Sequence, residues 1–477
     1  MDVNTGSFRD PSGQVFEWDG EIYRNVFGPG VGDFEAARDG GIYDRLVEAK
    51  LLIPHEEVDM ETSTSEEAVY RLKHPRLPVV SYPWEWPFSL LKDAALIHLE
   101  AMKMLVPLGF WLRDASAFNA QFDGDGIRLI DTLSIGRRIP ESPWVAYGQF
   151  CGHFLGPLAL AAYGDIRTLS LWRGNIDGYP LDLVSRMLPF WRRYRPGIFM
   201  HLTLHARAQG GADRKEDIGK VKQGGKTTIS DRSLLGIVQS LLGTIKGIKW
   251  KRTSEIWDEY ADIRTYAAED VSKKSEYVEK VVKELKPGVV WDLGSNTGEF
   301  SLIAASHGAF VVSIDSDPGC TEYLYQKVTG NNGTKGVLPL TMDLANPSPG
   351  LGWDSRERLG LRDRGPADLV FALALIHHLV LSCCVPLKMI AKWFAGLGEY
   401  LLVEFVPEND PMVQKLLRNR SDQHLPYGLD VFKSDFGGFF KFVDHMALHN
   451  GRTLFLLRRR SDMNMPNCDE KNKSDCR

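Results

Sequence analysis

Cysteine is scarce in this chain: six among 477 residues, Cys151, Cys320, Cys383, Cys384, Cys468 and Cys476. None forms a Cys-x-x-Cys pair or joins a histidine cluster at zinc-ligand spacing, so no structural zinc module is expected. Long apolar runs are missing too. The longest, residues 154–163, is too short to span a bilayer and sits among glycines and polar residues. Neither sign of charge dominates; a net charge of −5 gives no argument for a nucleic-acid partner. The first six residues are polar and lack the basic-then-apolar layout of a signal peptide. The expectation is a cytoplasmic protein with no membrane span and no nucleic-acid partner. No internal repeat is visible. What remains is ordinary globular material, 43% hydrophobic and 25% charged, long enough for two or three domains.

Against that background one stretch stands out. Val289-Val290-Trp291-Asp292-Leu293 reads as a buried strand, followed by the turn Gly294-Ser295-Asn296-Thr297-Gly298 and a helix opening at Glu299. Such a turn lies at the carboxyl end of the first strand of a parallel α/β unit, where cofactors bind. Three further apolar runs end in chemistry-bearing residues: 310–315 in Asp315, 337–343 in Asp343, and 367–375 in Ile376-His377-His378-Leu379. A fifth run covers 400–405. Asn450-Gly451 between two β-like runs signals a closing hairpin.

The order of these features resembles class I S-adenosylmethionine (SAM)-dependent methyltransferases over roughly residues 250–460. Asn296 departs from the family's middle glycine, but asparagine tolerates positive φ better than other side chains. The resemblance implies that Asp292, Gly294, Ser295, Asn296 and Gly298 hold the methionine portion of SAM. It implies that Asp315 accepts from the ribose hydroxyls, with Asp317 able to share or replace it, and that Asp343 meets the adenine amino group. The acceptor is expected beyond the fourth strand, near Ala372, Ala374, His377 and His378. One histidine could take a proton from the acceptor, His378 matching the family motif better; alternatively both cap or pack the turn. Tyr260 and Tyr266 could lid the pocket or simply pack. No Asn/Asp-Pro-Pro-aromatic and no Pro-Cys follows the fourth strand, which turns the expectation toward a small-molecule, saccharide or lipid-linked acceptor.

The amino-terminal part carries a second set: Arg113-Asp114, Asn119, an Asp123-Gly124-Asp125-Gly126 hairpin and Asp131. It resembles the catalytic segment of kinase-like phosphotransferases, where Asn119 and Asp131 would hold magnesium. No histidine precedes Arg113, no Phe-Gly follows Asp131, and no phosphate-covering glycine loop is apparent. Active, degenerate and coincidental readings all stand, and apart from this pair no metal ligand is expected. The aromatic cluster 82–88 could line a groove or form core.

The organisation expected is an amino-terminal module over 1–206 and a flexible linker with an amphipathic connector over 207–249. A methyltransferase domain follows over 250–460, then a disordered tail over 461–477. The fold class expected is α/β: a Rossmann-like sheet of seven strands with a closing antiparallel hairpin, beside an α+β module that is kinase-like in one reading. Taken whole, the layout also resembles a bacterial family that includes the rhizobial nodulation protein NoeA, through Asp10-Pro11-Ser12-Gly13, residues 51–55, residues 114–119 and the carboxy-terminal domain. That resemblance implies a SAM-dependent methyltransferase linked to host-specific nodulation. A catalytically silent SAM-binding regulator, or a bifunctional protein with a phosphotransferase module, are the alternatives.

Overall fold

The computed structural model describes residues 2–3, 5–59, 67–205, 229–251, 268–330, 333–417 and 426–461. Tyr260, Tyr266, most of the 207–232 linker and all but the first residue of the 461–477 tail lie outside them. Two compact units emerge: residues 1–252 together with 350–358, and residues 253–349 together with 359–477.

The first unit is built on a five-stranded antiparallel sheet, order β1-β2-β3-β5-β4. Its strands are β1 (Asp2–Val3), β2 (Gly13–Trp18), β3 (Glu21–Phe27), β4 (Glu56–Val58) and β5 (Ala68–His74). Helix α1 (Gly28–Asp39) follows β3 directly, and α2 (Phe88–Leu105) is the unit's buried spine. Every fourth or third residue of α2, from Leu91 through Ala95, His98, Ala101–Met102 to Leu105, is fully covered, the spacing a buried helix face requires. Two short pairs complete the β structure: β6 (Phe110–Leu112) with β9 (Ile135–Arg137), and β7 (Ala120–Phe122) with β8 (Ile127–Leu129). Asp123 closes the second by accepting the Asp125 and Gly126 N–H groups on Oδ1. The aromatic cluster is core: Tyr82, Trp84, Trp86 and Phe88 are all buried, and Trp86 Nε1 donates to Ser81 Oγ at 2.8 Å. The amphipathic stretch becomes α3 (Asp231–Gly247), capped by Ser230 and packed on α2. Segment 350–358 belongs here: Arg9 grips Glu357 with two hydrogen bonds of 2.8 and 2.9 Å, and the Arg358 guanidinium lies 4.1 Å from the Phe118 ring centroid.

This unit buries four neutral histidines. Desolvation pushes His74 down to about 3, and His98, His153 and His201 down to about 4. The unfolded chain takes up a proton at each of them near pH 6.5, which the folded unit refuses. Their stabilising contribution is therefore complete above about pH 6.5 and is lost as pH falls toward 4, at about 1.4 kcal/mol per pH unit for each histidine. Urea melts should show midpoints dropping steeply between pH 7 and 5. A flat profile would mean these histidines are charged in the fold.

The second unit is a seven-stranded sheet, order β12-β11-β10-β13-β14-β16-β15. Strands β10 (Val289–Leu293), β11 (Phe310–Asp315), β12 (Val337–Thr341), β13 (Ala367–Ala372) and β14 (Gly398–Phe405) run parallel. Being covered on both faces, they read as continuous apolar runs rather than alternating ones. β15 (Phe440–Ala447) and β16 (Thr453–Arg459) form the closing antiparallel hairpin across Asn450-Gly451, with Gly451 at φ 82°. This is the expected class I methyltransferase sheet. Helix α4 (Ala268–Leu285) lays Tyr277, Val278, Val281 and Val282 on a core that contains Val290, Val311, Leu369 and Phe371. The fourth strand ends three residues earlier than its apolar run, because Ala374 takes φ 53° and turns the backbone. The third likewise stops at Thr341, leaving Asp343 on the following loop. No helix among the described residues is long and apolar enough to cross a membrane.

Candidate cofactor and acceptor site

From β10 the chain builds outward to β11 and β12, then returns to add β13 on the other side of β10. That reversal opens a crevice at the carboxyl ends of β10 and β13, the place where open α/β sheets bind ligands. The sequence set two groups there: the turn after β10 and the histidines after β13.

The turn is pinned rather than loose. Gly294 and Ser295 N–H both donate to the Ile314 carbonyl, at 2.8 and 3.0 Å, and Gly298 N–H donates to the Ser295 carbonyl at 2.9 Å. Gly294, Asn296 and Gly298 all have positive φ, 77°, 51° and 78°, so the asparagine adopts the conformation expected of it. A Cβ on Gly298 would meet Leu324 carbons at 2.5 and 2.6 Å, and one on Gly294 would meet Leu375 Cδ1 at 3.2 Å. Helix α5 (Glu299–Ser306) starts immediately after this turn.

Three carboxylates play different parts. Asp315 Oδ2 accepts from Asn296 N–H at 2.7 Å and Oδ1 from Asp317 N–H at 2.8 Å. Both oxygens are thus oriented and each keeps a lone pair for a further donor. Asp317 is the N-cap of the helix Pro318–Thr329, accepting Gly319 N–H at 2.7 Å, which leaves Asp315 the better placed of the two for a diol. Asp292 is buried and accepts from Ser301 Oγ at 2.6 Å. Burial pushes its carboxyl up to about 6, against the pull of Lys274. It braces the turn from beneath. Asp343 is exposed at the far end of the site and accepts Ala345 N–H at 2.9 Å. Ser295 Oγ is buried and has no hydrogen-bond partner among the described residues.

His377 and His378 sit side by side after β13, ring centroids 4.2 Å apart. His377 is buried, and desolvation, helped by His378 and Arg452, pushes it down to about 3. His378 is less buried and is lowered by desolvation and Arg452. Both are neutral at pH 7, with His377 the more buried of the two.

The amino-terminal set is engaged within its own unit. Asp131 Oδ1 pairs with Arg24 Nη1 at 2.9 Å and caps the next turn, accepting Leu133 and Ser134 N–H at 3.0 and 3.2 Å. Arg24 Nη2 also donates to Asp10 at 2.6 Å. Asp114 accepts Ser116 N–H at 2.8 Å, while the Asn119 amide nitrogen is buried without a partner among the described residues. Burial raises the Asp131 carboxyl, with Asp114 adding to the rise against the pull of Arg24, and Oδ1 of Asp131 is engaged by Arg24 and two backbone N–H groups.

The nodulation protein NoeA of Rhizobium meliloti strain 1021 is 34% identical to this chain over 460 residues, 95% of each. The chain belongs to the NoeA family. Among solved structures it is similar to magnesium protoporphyrin IX methyltransferase (ChlM) from Synechocystis PCC 6803 with bound SAH. That match covers 43% of this chain and 95% of the other at 20% identity, TM-score 0.31. It is also similar to the N-methyltransferase NodS from Bradyrhizobium japonicum WM9, over 40% and 97% at 10% identity, TM-score 0.30. No protein-family model matches.

In this NoeA-family chain the sequence reading missed a buried ionic row beside the histidines. Lys274 Nζ lies 2.6 Å from Glu404 Oε2, whose Oε1 is 3.5 Å from Arg452 Nη1, and Arg452 Nε donates to Asp410 at 2.8 Å. All four are at most 5% exposed. One signal was available: Glu404 interrupts the apolar run Val403–Phe405, and a carboxylate there needs a partner.

Proposed function

We propose that the carboxy-terminal unit transfers a methyl group from SAM to a small-molecule, saccharide or lipid-linked acceptor, within a cytoplasmic protein that serves host-specific nodulation. The observation that carries the reading is the cradle at the strand crossover. Gly294 and Gly298 hold the turn at positive φ, a buried Ser295 hydroxyl has no partner among the described residues, and Asp315 presents two oriented oxygens, one of them held by the same turn. These residues fit SAM: Gly294–Gly298 backbone and Ser295 for the methionine end, Asp315 for the ribose, Asp343 for the adenine edge. When bound, SAM supplies a methyl carbon already made electrophilic by its sulfonium.

The chain's own task is then to orient and to exclude water. Asp292 fixes the turn through Ser301 and adds negative charge beneath a cationic ligand. His378 takes the acceptor's proton, since its ring is the more accessible and the less depressed of the pair; His377 packs behind it. The ionic row walls the acceptor side. The methyltransferase domain expected over 250–460 then corresponds to residues 253–349 and 359–460, the segment 350–358 going to the first unit, and that amino-terminal unit selects the acceptor or a partner.

Calorimetry with SAM and S-adenosylhomocysteine tests the assignment. Asp315→Ala should weaken both by about 10- to 150-fold, the worth of about 1.5–3 kcal/mol for hydrogen bonds to a charged acceptor. Wild-type affinity in that variant would move the ribose site elsewhere.

A further inference from the structure

The amino-terminal unit contains a cavity of about 570 Å³ that the methyl-transfer reading does not use. Three guanidinium groups, Arg113, Arg137 and Arg138, converge on it with one carboxylate, Asp33. Asp33 is divided between two of them: Oδ2 lies 3.2 Å from Arg113 Nη1, and Oδ1 accepts from Arg137 Nε at 3.0 Å. Arg138 pairs with the exposed Asp231 and donates from Nη2 to the Ile229 carbonyl at 2.6 Å. Among the described residues these three cations have two carboxylate partners, Asp33 and Asp231, and Arg113 Nη2 also donates to the Leu133 carbonyl at 2.7 Å. The Nε groups of Arg113 and Arg138 are buried without an acceptor among the described residues.

The backbone is shaped for this arrangement. β6 and β9 pair so that Trp111 lies opposite Gly136. A Cβ on Gly136 would sit 2.5 Å from Arg113 Cδ and 2.8 Å from Asp33 Oδ2, so only glycine lets Arg113 cross β9 to reach Asp33. Facing the guanidinium groups are apolar walls: Trp111, and Ile139 and Val145, each 59% exposed. Apolar side chains that open to water beside a cationic cluster match a ligand that has an anionic group on a less polar body. The volume lies within the range of small-molecule ligand sites.

We infer that this cavity binds a small molecule bearing a phosphate or carboxylate on an apolar body, the anion seated among the arginines and the apolar part against Ile139 and Val145. The site stands independently of SAM binding, since none of its residues belongs to the sheet crevice.

Calorimetry on the full-length protein, with phenyl phosphate, phenylacetate and benzyl alcohol as probes, tests this. At least one anionic probe should bind, distinguishing phosphate from carboxylate as the anion, and benzyl alcohol should not. Arg137→Ala, at a side chain that is 61% exposed and so safe for folding, should weaken binding at least about tenfold, the scale of one charged hydrogen bond. Ile139→Asp should do the same by setting a negative charge at the rim. Both variants should keep the wild-type melting temperature. Absence of binding by both anionic probes up to about 10 mM, a bound worth under 3 kcal/mol, would overturn the inference. So would anion binding that neither substitution changes.

Discussion

Gly294→Asp should abolish SAM binding while the protein stays folded. Gly294 has φ 77°, a region where a side chain costs about 1–2 kcal/mol. The new Cβ would meet Leu375 Cδ1 at 3.2 Å, a contact the end of a leucine can relieve with a small shift. Fold damage should therefore be modest. The ligand suffers far more: the side chain enters the space that the turn keeps clear, and its charge faces the carboxylate of the methionine moiety. Loss beyond about 100-fold is expected, equivalent to roughly 3 kcal/mol. Gly294→Ala isolates the conformational part and should lose much less. Calorimetry beside thermal melts separates the effects, and a folded Gly294→Asp protein with wild-type affinity would refute the cradle. Gly298→Ala should differ in kind, because its Cβ meets Leu324 at 2.5 Å inside the packed core and should lower the melting temperature instead.

The sheet crevice was legible because its parts are local. Each buried parallel strand is a continuous apolar run whose carboxyl end lies at the crevice edge. The places of Asp292, Asp315 and His377 at or just past the ends of these strands could thus be read without tertiary information. Their roles were less visible: nothing local distinguishes Asp315, oriented by two N–H donors, from Asp317, spent on a helix cap. Strand ends were overrun at Leu375 and Asp343 because hydrophobicity does not register the positive φ of Ala374. In the amino-terminal unit the decisive contacts are long-range. Arg24 on β3 pairs with Asp131 far along the chain, a contact that the Asp114–Asn119–Asp131 spacing does not reveal. Segment 350–358 is a similar case; Glu357 looks like any loop glutamate until Arg9 is placed against it.

The same limitation hid Glu404, whose removal should be the most damaging single change in the carboxy-terminal unit. Its two oxygens face Lys274 and Arg452, and the side chain is fully buried at the end of β14. Replacing a buried pair by apolar residues is often tolerated, but removing one partner strands the other charge out of water. Glu404→Ala would leave Lys274 and Arg452 facing each other across a cavity without the carboxylate that joins them, while Arg452 keeps Asp410. A loss of about 3–5 kcal/mol is expected, read as a shifted denaturation midpoint with an unchanged m-value. Glu404→Gln keeps the shape but removes the charge, and should fall between. The change should also reach the acceptor side, because Arg452 already depresses both histidines and Lys274 depresses His377. With their counter-charge gone, His378 should hold its proton still less well, and the acidic limb of the pH–rate profile should move to lower pH in Glu404→Gln. A loss under about 1 kcal/mol in Glu404→Ala would mean that water reaches the row and that the four charges are screened.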